Sequence, residues 1–374
     1  MVSKLRHIAA QHLVNMGGWR TNRKIVVIES DDWGSIRMPS TEVYDKLLNK
    51  GVPVDKSPYC RYDSLASETD LEALFETLSK FQDSNGNHPV ITANVLTANP
   101  DFDKIRDSGF QKYYFEQISE TFKRYPEHEN SLTLWKKGDK KRLFHPQSHG
   151  REHLNVPFWL KLLRNDEYDF RLAFDNRCWG LSSDIYPKMK KSIQASFDAD
   201  TADEIEDHKK IIKSGLKIFE EIFGYRTASF IASNYIWSSE LNPVLKKEGV
   251  RYLQGMKYQK LPGLNEKSRS MERRYLGGKN KNGQLNLVRN CSFEPSLSVD
   301  KDYALDSCLN GVSTAFLWRK PAIITSHRIN YVGFLHPENR DCNLKLMRKL
   351  LQRILDKWPE VEFMTSDELG QVIE

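Results

Sequence analysis

Apolar positions along the chain come in short unbroken runs, and amphipathic stretches of helical period separate them. Lys24-Ile25-Val26-Val27-Ile28-Glu29 is the clearest run: β-branched and bounded by charge, the pattern of a buried strand. Similar runs predict strands at 89–95, 142–144, 169–174, 227–231, 250–253, 285–288, 321–325 and 361–364. Helical spacing predicts helices at 41–49, 69–81, 110–125, 158–163, 203–223, 239–248, 303–318 and 342–358. In the longest of these, Ile205, Ile211, Ile212, Leu216, Phe219 and Ile222 recur at roughly helical spacing. Strand and helix alternate from end to end, which predicts parallel β/α units in one sheet. A (β/α) barrel is the first expectation and an open doubly wound sheet the second. The first strand opens into Ser30-Asp31-Asp32-Trp33-Gly34, not the glycine fingerprint of a dinucleotide fold.

Composition changes this picture little. The chain has 374 residues, 39% of them hydrophobic, enough for a sizeable core and too many for a disordered polymer. Fifty-six Lys and Arg against 50 Asp and Glu leave +6, with no long basic run. That balance calls for no nucleic acid and would suit an acidic polymer. No run approaches the roughly 18 apolar residues of a membrane span, and Met1-Val2-Ser3-Lys4-Leu5-Arg6-His7 leads into no apolar signal core. Cys60, Cys178, Cys291, Cys308 and Cys342 form no CxxC pair, which fits reduced thiols in a cytoplasmic protein. A stretch rich in Lys, Arg and Gly at 255–282 reads as an exposed excursion.

Candidate chemistry follows from strand ends, because parallel α/β folds gather their active residues there. Asp31 and Asp32 follow the first strand. Asp serves turns and caps well, but two adjacent carboxylates repel, and a bound cation would offset that cost. His149 and His153 stand four apart; on a helical turn both imidazoles would reach one ion. His145 precedes them at the same interval. Asn155 and Pro157 mark the start of a following helix. The glutamate of His149-Gly150-Arg151-Glu152-His153 sits at the fourth position, so this is not the zincin H-E-x-x-H. His327 follows the run 321–325 and is a candidate general acid or base. One carboxylate and two imidazoles suit Zn, Fe(II), Co or Mn with positions left open. The spare Asp would accept a proton from water and the spare His would protonate a leaving group, which describes metal-assisted hydrolysis of an amide or ester.

In this order the motifs resemble those of the polysaccharide deacetylases with a NodB-homology domain. The family's T-F-D-D-G is matched by Glu29-Ser30-Asp31-Asp32-Trp33, and its H-[ST]-x-x-H by His149-Gly150-Arg151-Glu152-His153. Its F-R-x-P-Y-G has a degenerate counterpart in Tyr225-Arg226-Thr227-Ala228-Ser229, and its last histidine is matched in Ile324-Thr325-Ser326-His327. The resemblance implies a distorted (β/α) barrel of seven or eight units. It implies Asp31 as general base, His327 as general acid and Arg226 as the group that orients Asp31. It implies one divalent ion, Zn first with Co, Mn, Fe or Ni as alternatives, on Asp32, His149 and His153.

The departures shape the expectations. Trp33 replaces the motif glycine, which would narrow the mouth or offer a platform for a sugar ring. The fourth family motif has no evident counterpart; Asp175 and Glu294 are candidates for extra site residues. Residues 1–374 are read as one barrel with an N-terminal helical extension, 1–22, and insertions near 51–87, 165–201 and 255–282. The leading reading is removal of N- or O-acetyl groups from a sugar or polysaccharide precursor. Trp33, Tyr235, Trp237 and Tyr331 are aromatic candidates for stacking on it. Arg273 and Arg274 in the basic excursion would favour an anionic substrate. A glycoside hydrolase is one alternative; adjacent Asp31 and Asp32 fit it poorly, since strand neighbours point to opposite faces. A non-catalytic glycan- or metal-binding barrel is the other.

Overall fold

The computed structural model describes residues 9–266 and 268–374. Its centre is one sheet of nine parallel strands. In chain order these are β1 (Lys24–Trp33), β2 (Ile91–Val95), β3 (Phe144–Ser148), β4 (Ser229–Phe230), β5 (Tyr252–Gly255), β6 (Leu285–Val288), β7 (Cys291–Ser292), β8 (Ala322–His327) and β9 (Val361–Met364). Hydrogen-bonded neighbours run β6-β5-β4-β3-β2-β1-β8-β7, with β9 beside the start of β1. The two ends of this series are one piece of chain. Arg289 N–H donates to the carbonyl of Gly255 on β5, and Asn290 N–H to that of Ile323 on β8. The run 285–292 thus bridges both edges, and the strands close into a seven-membered (β/α) barrel.

Local chemistry explains the elements. Ile25, Val26, Val27 and Ile28 are all buried, so β1 is covered on both faces, as a parallel strand between layers should be. The helix Ala202–Phe223 starts on Thr201, whose hydroxyl accepts from Glu204 N–H, and stops at Gly224 with φ 80°. It buries Ile205, Ile212, Leu216 and Phe219 against the barrel. Each such side chain contributes roughly 1.5–3 kcal/mol relative to an exposed one.

Several expectations are corrected. Residues 169–174 lie in a helix, Tyr168–Asp175, not a strand; its apolar positions are spaced for one buried helical face. Residues 110–125 split into a short strand, Phe115–Gln117, and a helix, Ile118–Arg124. The helix Ser131–Lys140, with its mostly basic exposed face, had no apolar run to announce it. The excursion 255–282 carries an antiparallel hairpin, Tyr258–Lys260 with Met271–Arg273. Residues 1–8 of the N-terminal extension, and Lys267 in the excursion, lie outside the described residues. Among the described residues no helix is long and apolar enough to cross a membrane.

Candidate active site

The carboxyl ends of the strands surround a cavity of about 320 Å³, and Asp31, Asp32, His149, His153, Tyr235 and His327 all line it. β1 delivers both carboxylates because it does not end as a regular strand. Ser30 pairs with Ala93 and Trp33 with Val95, so three steps along β1 match two along β2. This bulge, with Asp32 at φ 76°, overrides the strand alternation that would have sent Asp31 and Asp32 to opposite faces. β8 lies in register beside β1, with Asp31 opposite His327.

His149 and His153 also converge, but not on a helical turn. Residues 149–155 form an irregular loop, and the helix Val156–Arg164 begins only after it. Asn155 caps that helix through Phe158 N–H, with Pro157 in the first turn, as expected. Gly150 makes the loop practicable: its φ is 107°, and a Cβ would stand 3.3 Å from the Phe197 ring. His149 Nδ1 lies 3.0 Å from the Ile231 carbonyl, so it carries the proton and leaves the Nε2 lone pair facing the cavity.

Asp32 Oδ1 lies 3.2 Å from His153 Nε2 and 3.5 Å from His149 Nε2. All three residues are buried, and their donor atoms lie within 4.8 Å of one another. Asp32 Oδ1 and His149 Nε2 have no hydrogen-bond partner. These two open buried atoms, with His153 Nε2 3.2 Å from the same carboxylate oxygen, fit a divalent cation. Arg37 takes the other oxygen, its Nη2 donating to Asp32 Oδ2 over 3.2 Å. Burial works against the charge on Asp32, but His153 and Arg37 outweigh it and hold the carboxyl well below its usual range. Burial lowers the His153 pKa, favouring the neutral imidazole a cation requires.

Asp31 is treated differently. Arg289 grips it with two hydrogen bonds of 2.7 Å, Nη1 to Oδ2 and Nη2 to Oδ1. Asn94 Nδ2 donates to Oδ1 over 2.7 Å. Arg289 Nε reaches Glu29 over 2.6 Å, and Nη1 also donates to Tyr235 and Thr325. Burial opposes ionisation of Asp31, but Arg289 more than offsets it, so the carboxylate is held far below its ordinary pKa.

His327 Nε2 stands 3.9 Å from Asp31 Oδ2, and Nδ1 is 2.6 Å from Glu294 Oε1. Asn330 fixes the other Glu294 oxygen over 2.6 Å. Burial disfavours the imidazolium, but the Glu294 carboxylate prevails and lifts the His327 pKa well above its usual value.

Other expected site residues lie elsewhere. Arg226 is exposed and pairs with Glu220 over 3.1 Å; the guanidinium on Asp31 belongs to Arg289. Trp33 is in the core, donating to Ser30 and packed edge-on to Phe144 at 4.8 Å, so it offers no face to a sugar. Tyr331 is buried beneath it, and Trp237 is buried with its N–H on Asn242. Arg273 is exposed on the hairpin, over the Tyr275 ring. Arg274 is buried over Trp237, its pKa lowered to about 10 by burial. His145 faces Asp139 and Asp367, away from the cluster. Asp175 pairs with Arg106 on the surface.

Sequence reasoning missed Arg289, Glu29, Asn94 and Arg37. Arg289 follows directly on the apolar strand β6, so the rule that singled out His327 would have found it. Asn94 is an amide inside the apolar run 89–95, a signal in its own right.

No family model matches the sequence, and no curated protein matches it. Solved structures with a similar trace include a putative polysaccharide deacetylase from Mycobacterium smegmatis, at 10% identity over 96% of this chain and 92% of that one, TM-score 0.45. Puue allantoinase aligns at 9% identity over 94% of this chain and 91% of its own, TM-score 0.46. A CE4 family pseudoenzyme from Bacillus anthracis aligns at 9% identity over 93% and 66%, TM-score 0.38. This likeness is one of trace; the chemistry rests on the side chains.

Proposed function

We propose that the chain is a metal-dependent hydrolase that removes N- or O-acetyl groups from a carbohydrate, a divergent relative of the polysaccharide deacetylases. The observation that carries the reading is one cavity lined by an open Asp/His/His cluster, a clamped carboxylate and a carboxylate-backed imidazole. Asp32, His149 and His153 would hold a divalent ion, Zn by preference. Such an ion would polarise the acyl carbonyl and make water more acidic.

The chain's own groups supply the proton transfers. Asp31, ionised and fixed by Arg289 and Asn94, accepts the proton that water loses as its oxygen bonds to the acyl carbon. His327, kept protonated by Glu294, gives its Nε2 proton to the departing amine or alcohol as the C–N or C–O bond breaks. The 3.9 Å between His327 Nε2 and Asp31 Oδ2 supports this pairing of roles. Arg37 occupies only Asp32 Oδ2, so it steadies the ligand without filling the open side.

The test is acetate release from a panel of N- and O-acetylated sugars by metal-loaded protein. Release that stops on chelation and returns with metal is expected. Metal binding with no turnover of any panel member would leave a binding barrel instead.

A further inference from the structure

Next to the reacting cavity lies a second one, of about 400 Å³, within the range of small-ligand sites. Val14, Met256, Tyr258 and Cys291 give it an apolar wall, while Arg289 and Thr325 close its inner end. Arg289 is the residue that clamps Asp31, and Nη1 also donates to Thr325. A single buried guanidinium therefore separates an apolar pocket from the reacting centre.

The protein surface around this pocket is unusual for exposed positions. Leu13 is 51% exposed, Tyr258 46% and Met271 67%, with Met16, Met256 and Tyr275 also in the open. They are neighbours. Lys257 Nζ donates to the Leu13 carbonyl, Lys260 pairs with Met271 across the hairpin, and Gly17 abuts the Tyr275 ring. Contiguous exposed apolar side chains mark a surface that meets something.

The charge of that surface says what. Lys257 borders the apolar pocket and Lys260 borders the reacting cavity, three residues along the same hairpin. Arg273 stands opposite Tyr258. None of these three forms an ion pair with a carboxylate among the described residues. Glu272, the carboxylate of the strand Met271–Arg273, pairs with Gln259 and so lies on the other face of the ribbon. Apolar side chains interleaved with cations that form no ion pair among the described residues match an anionic lipid surface.

We propose that this face docks on anionic membrane and that the pocket receives the aliphatic chain of a lipid-linked sugar. The cations between the two cavities would take its anionic, phosphate-type linkage. The proposal rests on the carbohydrate hydrolase reading for the sugar, but not for the docking.

Two measurements on the 374-residue chain test it. The first is co-sedimentation with vesicles of phosphatidylcholine, alone or mixed with phosphatidylglycerol. Binding to the anionic vesicles, weakened by salt, is expected; the pair Lys257→Gln/Arg273→Gln should weaken it about fivefold per cation removed. Met256→Glu/Met271→Glu should abolish it, while His149→Ala should leave it unchanged, which separates docking from catalysis. The second is calorimetry with butyl and decyl phosphate. Decyl phosphate should bind at least tenfold more tightly, and Val14→Trp, folded by circular dichroism, should remove that preference. Absence of vesicle binding, binding indifferent to the glutamate pair, or equal affinity for the two alkyl phosphates would overturn the proposal. So would a dimer in solution that the glutamate pair dissociates, since a second copy would then own the face.

Discussion

Asp31 and Asp32 are adjacent in sequence and share one cavity, yet their surroundings differ in kind. Both oxygens of Asp31 are engaged by the protein, in a wall that runs through Arg289 to Glu29, which also accepts from Ser366. Asp32 has one oxygen on Arg37 and the other open, facing the open Nε2 of His149. A buried polar atom without a partner is costly, on the order of 1–3 kcal/mol. The first wall is complete without any further group, whereas the second leaves its open atoms directed at one point. That asymmetry is what supports the proposed division, Asp31 for proton transfer and Asp32 for an ion.

The contrast can be broken most severely at Arg289. Arg289→Met would leave Glu29 and Asp31 buried without their cation, and removing one partner of a buried pair typically costs about 3–5 kcal/mol. A large fall in Tm, with loss of acetate release, is expected in thermal denaturation and activity assays; a melting point near that of wild type would mean the wall does not depend on its arginine. Asp31→Asn is gentler on the fold. It should keep its metal and fold, with a smaller fall in Tm because Glu29 still pairs with Arg289, while losing about 10²–10⁴-fold in kcat, the usual contribution of a placed proton-transfer group. Retained turnover would move the base elsewhere.

A pH profile sharpens the same division on the acid side. On the proposed mechanism His327 acts in its protonated form, and Glu294 raises its pKa, so activity should persist well above pH 6.5 and fall only as pH passes the raised value. Glu294→Gln removes the supporting charge, so the basic limb should move to lower pH. An unmoved limb would detach Glu294 from the proton donor. The smallest effect belongs to Arg226→Ala: an exposed pair with Glu220 should matter by no more than about 0.5 kcal/mol and leave kcat unchanged.

Much of this was legible in the chain itself. The run from Lys24 to Glu29 and the strand-end positions of Asp31, Asp32 and His327 sufficed for a barrel with its chemistry at one end. The spacing of His149 and His153 pointed to an ion for the wrong reason: a glycine-bent loop, not a helical turn, brings them together. Arg289 stands at a strand end that the same rule reaches, but its pairing was hidden because its partners, Glu29 and Asp31, lie 260 and 258 residues away in sequence. No local period encodes such a contact. Trp33 misled because a motif position says which residue follows the aspartates, not which way the bulge turns it. Its ring fills the space between Phe144 and Tyr331.

The claim that Asp32, and not Asp31, belongs to an ion is tested most directly by metal content. Wild-type protein, Asp31→Asn and Asp32→Asn would be dialysed against Zn, freed of excess ion and analysed by atomic emission. The account predicts close to one ion per chain for wild type and for Asp31→Asn, and almost none for Asp32→Asn. Full occupancy in Asp32→Asn, or none in wild type, would contradict it.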